Sequence, residues 1–262
     1  MPNSLYIRFK QLLPRGLRNS LSSVNQRLFA RRTIQRKYGS WFDVDWRKKF
    51  RTMSNEDWAN AYDAVWKNHH NNCTDETDAA MIITALGGKP SRTATPENTV
   101  QSVLEVGCGA GSLAIAMAEA GFRVTCLDVS TEALQKAEAR IHTENLLPVF
   151  PITWKQGFAE SLPFPDKSFD AITCCHTLEH VRDLDVTVQE LKRVARNRIV
   201  IVVPRQEYRL YAENYHTQFF SSPEQLVRAF GLERFETREL NYVGRDENEF
   251  QDEAIFYVGF LS

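Results

Sequence analysis

Leu104–Ser112 reads LEVGCGAGS: a short apolar run, glycines at 107, 109 and 111, then the helix-forming stretch SLAIAMAEAG. Glycines at every second position let a backbone pass close to a bulky ligand and reach φ angles closed to other residues. A helix that starts immediately behind them adds free main-chain N–H groups. The stretch therefore predicts a strand, a ligand-holding turn and a helix.

The same alternation continues outward. SVLEVG leads to a helix over 111–120, FRVTCLD leads to TEALQKAEARIHTEN, ITWKQGF precedes a proline-rich loop, FDAITCCHTL leads to DLDVTVQELKRVA, and RIVIVVP follows. Short β-rich runs separated by helix-length amphipathic segments predict an α/β fold with right-handed crossovers and a parallel sheet. Ligands then bind at the carboxyl ends of the strands. A late helix is expected at SSPEQLVRAFG, with Ser222 as N-cap and Pro223 in the first turn, and LERFETREL and EAIFYVGFL supply two more strands. Upstream, NEDWANAYDAVWKNHH places Trp58, Ala61, Tyr62, Val65 and Trp66 on one helical face. The turn-rich GGKPSRTATPENT, residues 87–99, is the best linker, so a boundary near residue 100 is expected. Three regions result: a basic amphipathic arm over 1–42, a helical cover with linker over 43–99, and a ligand-binding domain over 100–262.

Composition narrows the function. A chain of 262 residues with 43% hydrophobic and 25% charged side chains is expected to be globular. No apolar run approaches the ~18 residues of a membrane span, and nothing resembles a secretory signal, so an intracellular, cytoplasmic protein is expected. Five cysteines, with Cys174 and Cys175 adjacent in a strand and no CxxC pair, read as small buried residues. The net charge of −1 conceals an asymmetry: residues 1–42 hold nine basic side chains and no acidic one. Leu5, Phe9 and Leu12, then Leu17, Leu21, Val24 and Leu28, line one helical face among those arginines. Three uses stay open for this arm: packing on its own domain, docking on an anionic membrane or acidic partner, or a mitochondrial transit peptide.

The glycine turn does not suit a dinucleotide, because G-x-G-x-x-G wants a sixth-position glycine or alanine and Ser112 stands there. The E-x-G-x-G-x-G run from Glu105 to Gly111 resembles motif I of the class I S-adenosylmethionine (SAM) methyltransferases. That resemblance implies the Rossmann-like, seven-stranded methyltransferase fold with helices on both faces, here with a helical N-terminal extension, and SAM as cofactor. Gly107, Gly109 and Gly111 would face SAM. Asp128, which ends the second strand in CLDVS, would bind the ribose, and Glu105 would lie near the cationic methionine end. The loop GFAESLPFPDKSFD resembles the segment that carries the adenine contact. Phe158 stands where the family commonly has an acidic residue, so adenine would meet the backbone of Phe158 and Ala159 and the Phe158 ring. Glu160 follows as a retained acidic residue or a turn cap.

After the fourth strand, HTLEH resembles the LEH segment of the ubiquinone and menaquinone biosynthesis methyltransferases. The ubiquinone-type O-methyltransferases have E-x-x-E-H there, associated with a divalent metal; this chain has His176, Glu179 and His180, and no metal is assigned from sequence. An inverted zinc-protease reading of H-x-x-E-H needs a helix and is set aside. Methyl transfer needs positioning and, for a hydroxyl acceptor, a base. Histidine suits that role, and the candidates are His176, His180 and His216, the last flanked by Tyr211 and Tyr215. Each could equally be a loop-packing residue. The expected acceptor is a small molecule with a hydroxyl oxygen, of quinone, lipid or sugar type. Nucleic acid is disfavoured, because no Asn-Pro-Pro-Tyr, Asp-Pro-Pro-Tyr or Pro-Cys motif follows the fourth strand. An NAD-linked oxidoreductase and a non-catalytic SAM-binding protein are the alternatives, and the oligomeric state is not legible.

Overall fold

The structure, a computed structural model, describes residues 50–68, 76–88, 101–144, 146, 150–208, 216–241 and 253–261. The basic arm, most of the linker, Tyr211 and Tyr215 lie outside them. Two N-terminal helices, α1 (Asn55–Asn68) and α2 (Glu76–Ala85), precede β1 (Ser102–Val106), α3 (Ser112–Glu119), β2 (Arg123–Asp128) and α4 (Thr131–Thr143). There follow β3 (Thr153–Gln156), β4 (Phe169–Cys175), a 3-10 turn at Leu178–His180, α5 (Leu184–Val194), β5 (Ala195–Pro204), α6 (Pro223–Phe230), β6 (Arg234–Asn241) and β7 (Glu253–Phe260). The strands form one seven-stranded sheet in the order β3-β2-β1-β4-β5-β7-β6. It is parallel from β3 to β5, and β7 runs antiparallel to both of its neighbours.

The apolar runs of the middle strands are buried on both faces, as a parallel sheet under two helical layers requires. Successive side chains of β5 point to opposite sides: Ile199, Ile201 and Val203 enter one core with α5 and α6, and Val200 and Val202 enter the other with α2 and α3. Ile82 and Leu86 belong to that second core, and the guanidinium of Arg198 on β5 donates to the Ala85 carbonyl. The boundary near residue 100 therefore divides the chain without dividing the core.

Helix starts follow their caps. The Ser130 hydroxyl accepts from Ala133 N at 3.1 Å, and Asp183 accepts from Val186 N at 3.1 Å. Ser222 forms a capping box with Gln225, with Pro223 in the first turn as its sequence suggests. The order places β1 beside β4, where the direction of winding reverses. The turn after β1 and the turn after β4 therefore meet over the carboxyl edge of the sheet.

Candidate active site

Three glycines shape the turn after β1, all at positive φ: +73° at Gly107, +52° at Gly109 and +77° at Gly111. Each also faces a close neighbour. A Cβ on Gly107 would lie 2.2 Å from the Thr177 hydroxyl, one on Gly109 2.7 Å from the Trp66 ring, and one on Gly111 2.9 Å from Ala137. The missing side chains thus admit protein first: the turn after β4, the ring of α1 and the face of α4.

Two buried carboxylates stand beneath this turn. Asp128 accepts Gly109 N at 2.8 Å through Oδ2 and Ser130 N at 2.9 Å through Oδ1. Burial outweighs those N–H groups and lifts its pKa to about 6. A carboxylate has about four lone-pair sites, so these N–H groups leave room for a further donor. Glu105 is sealed in β1, its Oε2 has no hydrogen-bond partner, and burial with the nearby Asp128 charge pushes its pKa well above the usual carboxylate range. A ligand carrying a diol and a cationic amine would satisfy both groups.

Helix α1 straps this cleft. Asp63 accepts from Ser130 Oγ at 2.6 Å, Thr131 Oγ1 at 3.1 Å and Glu132 N at 3.2 Å. Lys136 donates to the Trp66 carbonyl, and Arg182 donates to Met53 O at 3.2 Å and Asn55 Oδ1 at 2.6 Å. Tyr62 projects between the two halves of the site. Its hydroxyl pKa is raised by burial and then by the charges of Asp128, Glu179 and Glu160, and its ring lies edge-on to His180 at 6.0 Å. Tyr62 and Trp66 were not legible as site residues, since their helical spacing reads equally well as core, and Asp63 lies off that apolar stripe with no local pattern to mark it.

Phe158 is half-buried under the Arg182 guanidinium, 5.4 Å from its ring centre, and Ala159 is buried beside it. Glu160 accepts Arg182 N at 2.8 Å, which is the turn-capping role.

The three histidines separate. His176 adopts φ +52° and turns inward. Its Nε2 lies 3.8 Å from Asp78 Oδ2 and its Nδ1 3.6 Å from Glu179 Oε1, with all three side chains buried. Burial alone would lower its pKa, but the two carboxylates outweigh that and hold it at about 9. A substrate-facing base is thus replaced at 176 by an inward imidazolium, because α2 brings up a carboxylate that no local pattern announces. His180 and His216 do come together, their ring centres 4.8 Å apart and the planes at 81°. The turn after β4 and the 216–218 segment are zipped by main chain: Glu179 O accepts Thr217 N at 2.7 Å and Gln218 N at 3.0 Å. His216 Nδ1 lies 2.7 Å from the buried Gln206 Oε1. Of the residues at the E-x-x-E-H positions, His176 stands between Glu179 and Asp78 while His180 turns to His216, and the 3-10 turn at Leu178–His180 is no metal-site helix.

A family model described as "Methyltransferase domain" matches residues 104–203. Residues 104–203 thus match a methyltransferase domain. The chain is 37% identical over 92 residues to the uncharacterized methyltransferase YcgJ of Bacillus subtilis (strain 168), covering 35% of each chain. It is 33% identical over 96 residues to a ubiquinone biosynthesis O-methyltransferase of Azoarcus sp. (strain BH72), covering 37% of this chain and 40% of that one. The chain thus spans well under half the length of these curated relatives. The crystal structure of YcgJ superposes with a TM-score of 0.52 at 20% identity, over 71% of this chain and 98% of that one, and shows the same fold. A SAM-dependent methyltransferase from Aquifex aeolicus gives 0.52 at 18% identity, over 71% and 90%. Within this methyltransferase domain, the orphaned Glu105 oxygen and the half-satisfied Asp128 carboxylate suit the amine and ribose of SAM.

Proposed function

We propose that the chain transfers the methyl group of SAM to a hydroxyl oxygen of a small molecule of quinone, lipid or sugar type. The observation that carries this reading is the position of α1, whose Asp63 accepts from Ser130 Oγ at 2.6 Å on the cofactor side while the neighbouring Tyr62 ring lies 6.0 Å from that of His180. The candidate acceptor cluster of Glu179, His180 and His216 thus lies on the far side of Tyr62 from Asp63. SAM supplies a methyl group on a positive sulfur, and the chain's own work is to align it and to handle the acceptor proton. Asp128 and Glu105 orient the donor. The strap formed by α1 limits water around it, and close alignment of donor and acceptor lowers the entropic part of the barrier.

The proton of the acceptor hydroxyl leaves at the Glu179–His180–His216 cluster. His176 takes no part in that step, because both of its nitrogens face buried carboxylates. The similarity to a ubiquinone biosynthesis O-methyltransferase supports an oxygen acceptor.

The test is a screen of hydroxylated quinones, lipids and sugars with methyl-labelled SAM, beside calorimetry with SAM and with NAD. Label transfer and a SAM affinity well above that for NAD are expected. His216→Ala should lower kcat by roughly 10²- to 10⁴-fold with SAM affinity nearly unchanged. SAM binding without turnover on any acceptor class would favour a non-catalytic SAM-binding protein.

A further inference from the structure

We infer that Arg182 is a positioning residue of the methyl-transfer site: it joins the loop that carries Phe158 to the α1 strap, so that a purine seated on that loop tightens the strap over the cofactor. The SAM reading supplies the purine, and the joint stands on side-chain geometry. Arg182 follows the turn at Leu178–His180 by two residues and precedes Asp183, the N-cap of α5. Glu160 Oε1 accepts its main-chain N–H at 2.8 Å, which fixes where the side chain starts.

From there the guanidinium lies between two segments that are distant in sequence. On the loop side it stands 5.4 Å from the centre of the Phe158 ring, with Nε 3.8 Å from Glu160 Oε1. On the strap side it stands 5.7 Å from the centre of the Trp58 ring, while Nη1 donates to Met53 O at 3.2 Å and Nη2 to Asn55 Oδ1 at 2.6 Å. The Glu160 contact is too long for a hydrogen bond, so a plain ion pair does not account for the arrangement. Only 16% of the side chain is exposed, and a guanidinium held out of water gains more from aromatic faces than an exposed one. A planar fork that stacks and donates at once is a property of arginine and not of lysine.

The two ends of α1 are thus held differently. Asp63 fastens the helix to Ser130, Thr131 and Glu132, whereas Arg182 fastens its start to the loop beside the cofactor. A purine packed on Phe158 restricts that ring, and with it the guanidinium that rests on the ring. Less side-chain freedom then remains to be lost when Nη1 and Nη2 bind Met53 and Asn55, so cofactor and strap favour one another. The strap also carries Tyr62, whose ring lies 6.0 Å from that of His180, so its position bears on the acceptor side.

The experiment measures SAM affinity by calorimetry, and hydrogen exchange of the full chain with and without saturating SAM, in wild type, Arg182→Gln and Arg182→Lys. In wild type, SAM should slow exchange over residues 55–62 by roughly five- to 150-fold, the usual span of a coupling between two sites. Arg182→Gln should still bind SAM, more weakly by about the same factor because coupling is reciprocal, and SAM should no longer slow exchange there. Arg182→Lys should recover only part of the effect. Strands β1 and β4 should keep their protection in both variants without SAM. If Arg182→Gln does not fold, Asn55→Ala and Phe158→Leu cut the joint from either side, and each should show the same loss. SAM binding that leaves exchange over 55–62 unchanged in wild type, or slows it equally in these folded variants, overturns the role of Arg182. Loss of protection spread evenly through α1, β1 and β4 in folded Arg182→Gln overturns it too. The methyl-transfer reading would then stand, whereas a wild-type chain that binds no SAM would sink that reading and this role with it.

Discussion

Asp128 carries most of what one residue can say about the cofactor. Its folded pKa, about 6, lies above the model-compound value of 3.8. A carboxyl group so raised contributes stability below its unfolded pKa and loses it as pH rises through 6, the reverse of an ion-paired aspartate. SAM hydroxyls would donate to the ionised form, so affinity should fall as pH drops below about 6, by up to about tenfold per unit for one proton. Calorimetry from pH 5 to 8 checks this. Asp128→Asn should bind more weakly and show a flat profile, and an unchanged slope in that variant would take Asp128 out of the linkage. Gly109 behaves differently from the simple expectation of ligand clearance. A side chain there meets the Trp66 ring at 2.7 Å and a backbone at φ +52°. Gly109→Ala should therefore lower Tm as well as SAM affinity. Combining it with Trp66→Ala should recover part of the loss, a coupling of about 0.5–3 kcal/mol in a double-mutant cycle. Strict additivity would show that the ring and the glycine are energetically independent. The legible part of this motif was the need for glycine; which neighbour demands it depends on α1 folding back over the turn.

Among the elements, α1 is the one whose removal should change the site without unfolding the sheet. It contributes little to the strand cores and is fastened through Asp63 to the start of α4, with Arg182 holding its other end. Asp63→Ala breaks three acceptor contacts at once, which puts about 1–3 kcal/mol of local stability at stake. Hydrogen exchange over residues 55–68 should speed up while β1 and β4 keep their protection, and SAM should dissociate faster. Equal loss of protection in α1 and the central strands would show that the helix is integral to the core. Helix α2 is such an integral element, through Ile82, Leu86 and the buried Asp78. The periodicity of residues 55–70 announced α1 and its aromatic face but not what that face meets. An apolar stripe has the same spacing whether it meets a sheet or a ligand cleft.

For the whole molecule, the charge division predicts behaviour outside the described residues. The first 42 residues carry +9 and the remaining 220 carry −10. If the arm docks on anionic lipid, each basic residue near the surface contributes about 1 kcal/mol, weakened by salt. Removing residues 1–37 should then abolish co-sedimentation with anionic vesicles at low salt and leave turnover on a soluble acceptor intact. Identical sedimentation of both forms would assign the arm to packing or targeting. The described helices include none long and apolar enough to cross a membrane. What the sequence by itself determined is the local part: the alternation of strands and helices, the cap at Ser222, the glycine turn, and Asp128 at the end of β2. These follow from periodicity, backbone freedom and side chains that reach only a few residues along the chain. What only the tertiary structure decided is the fate of the polar side chains at the sheet's carboxyl edge. His176 is sealed by Asp78 from 98 residues upstream, and His216 is brought to His180 from 36 residues downstream. Burial and charge pairing are set by neighbours in space, and the strand order that brings those neighbours together is a property of the whole sheet.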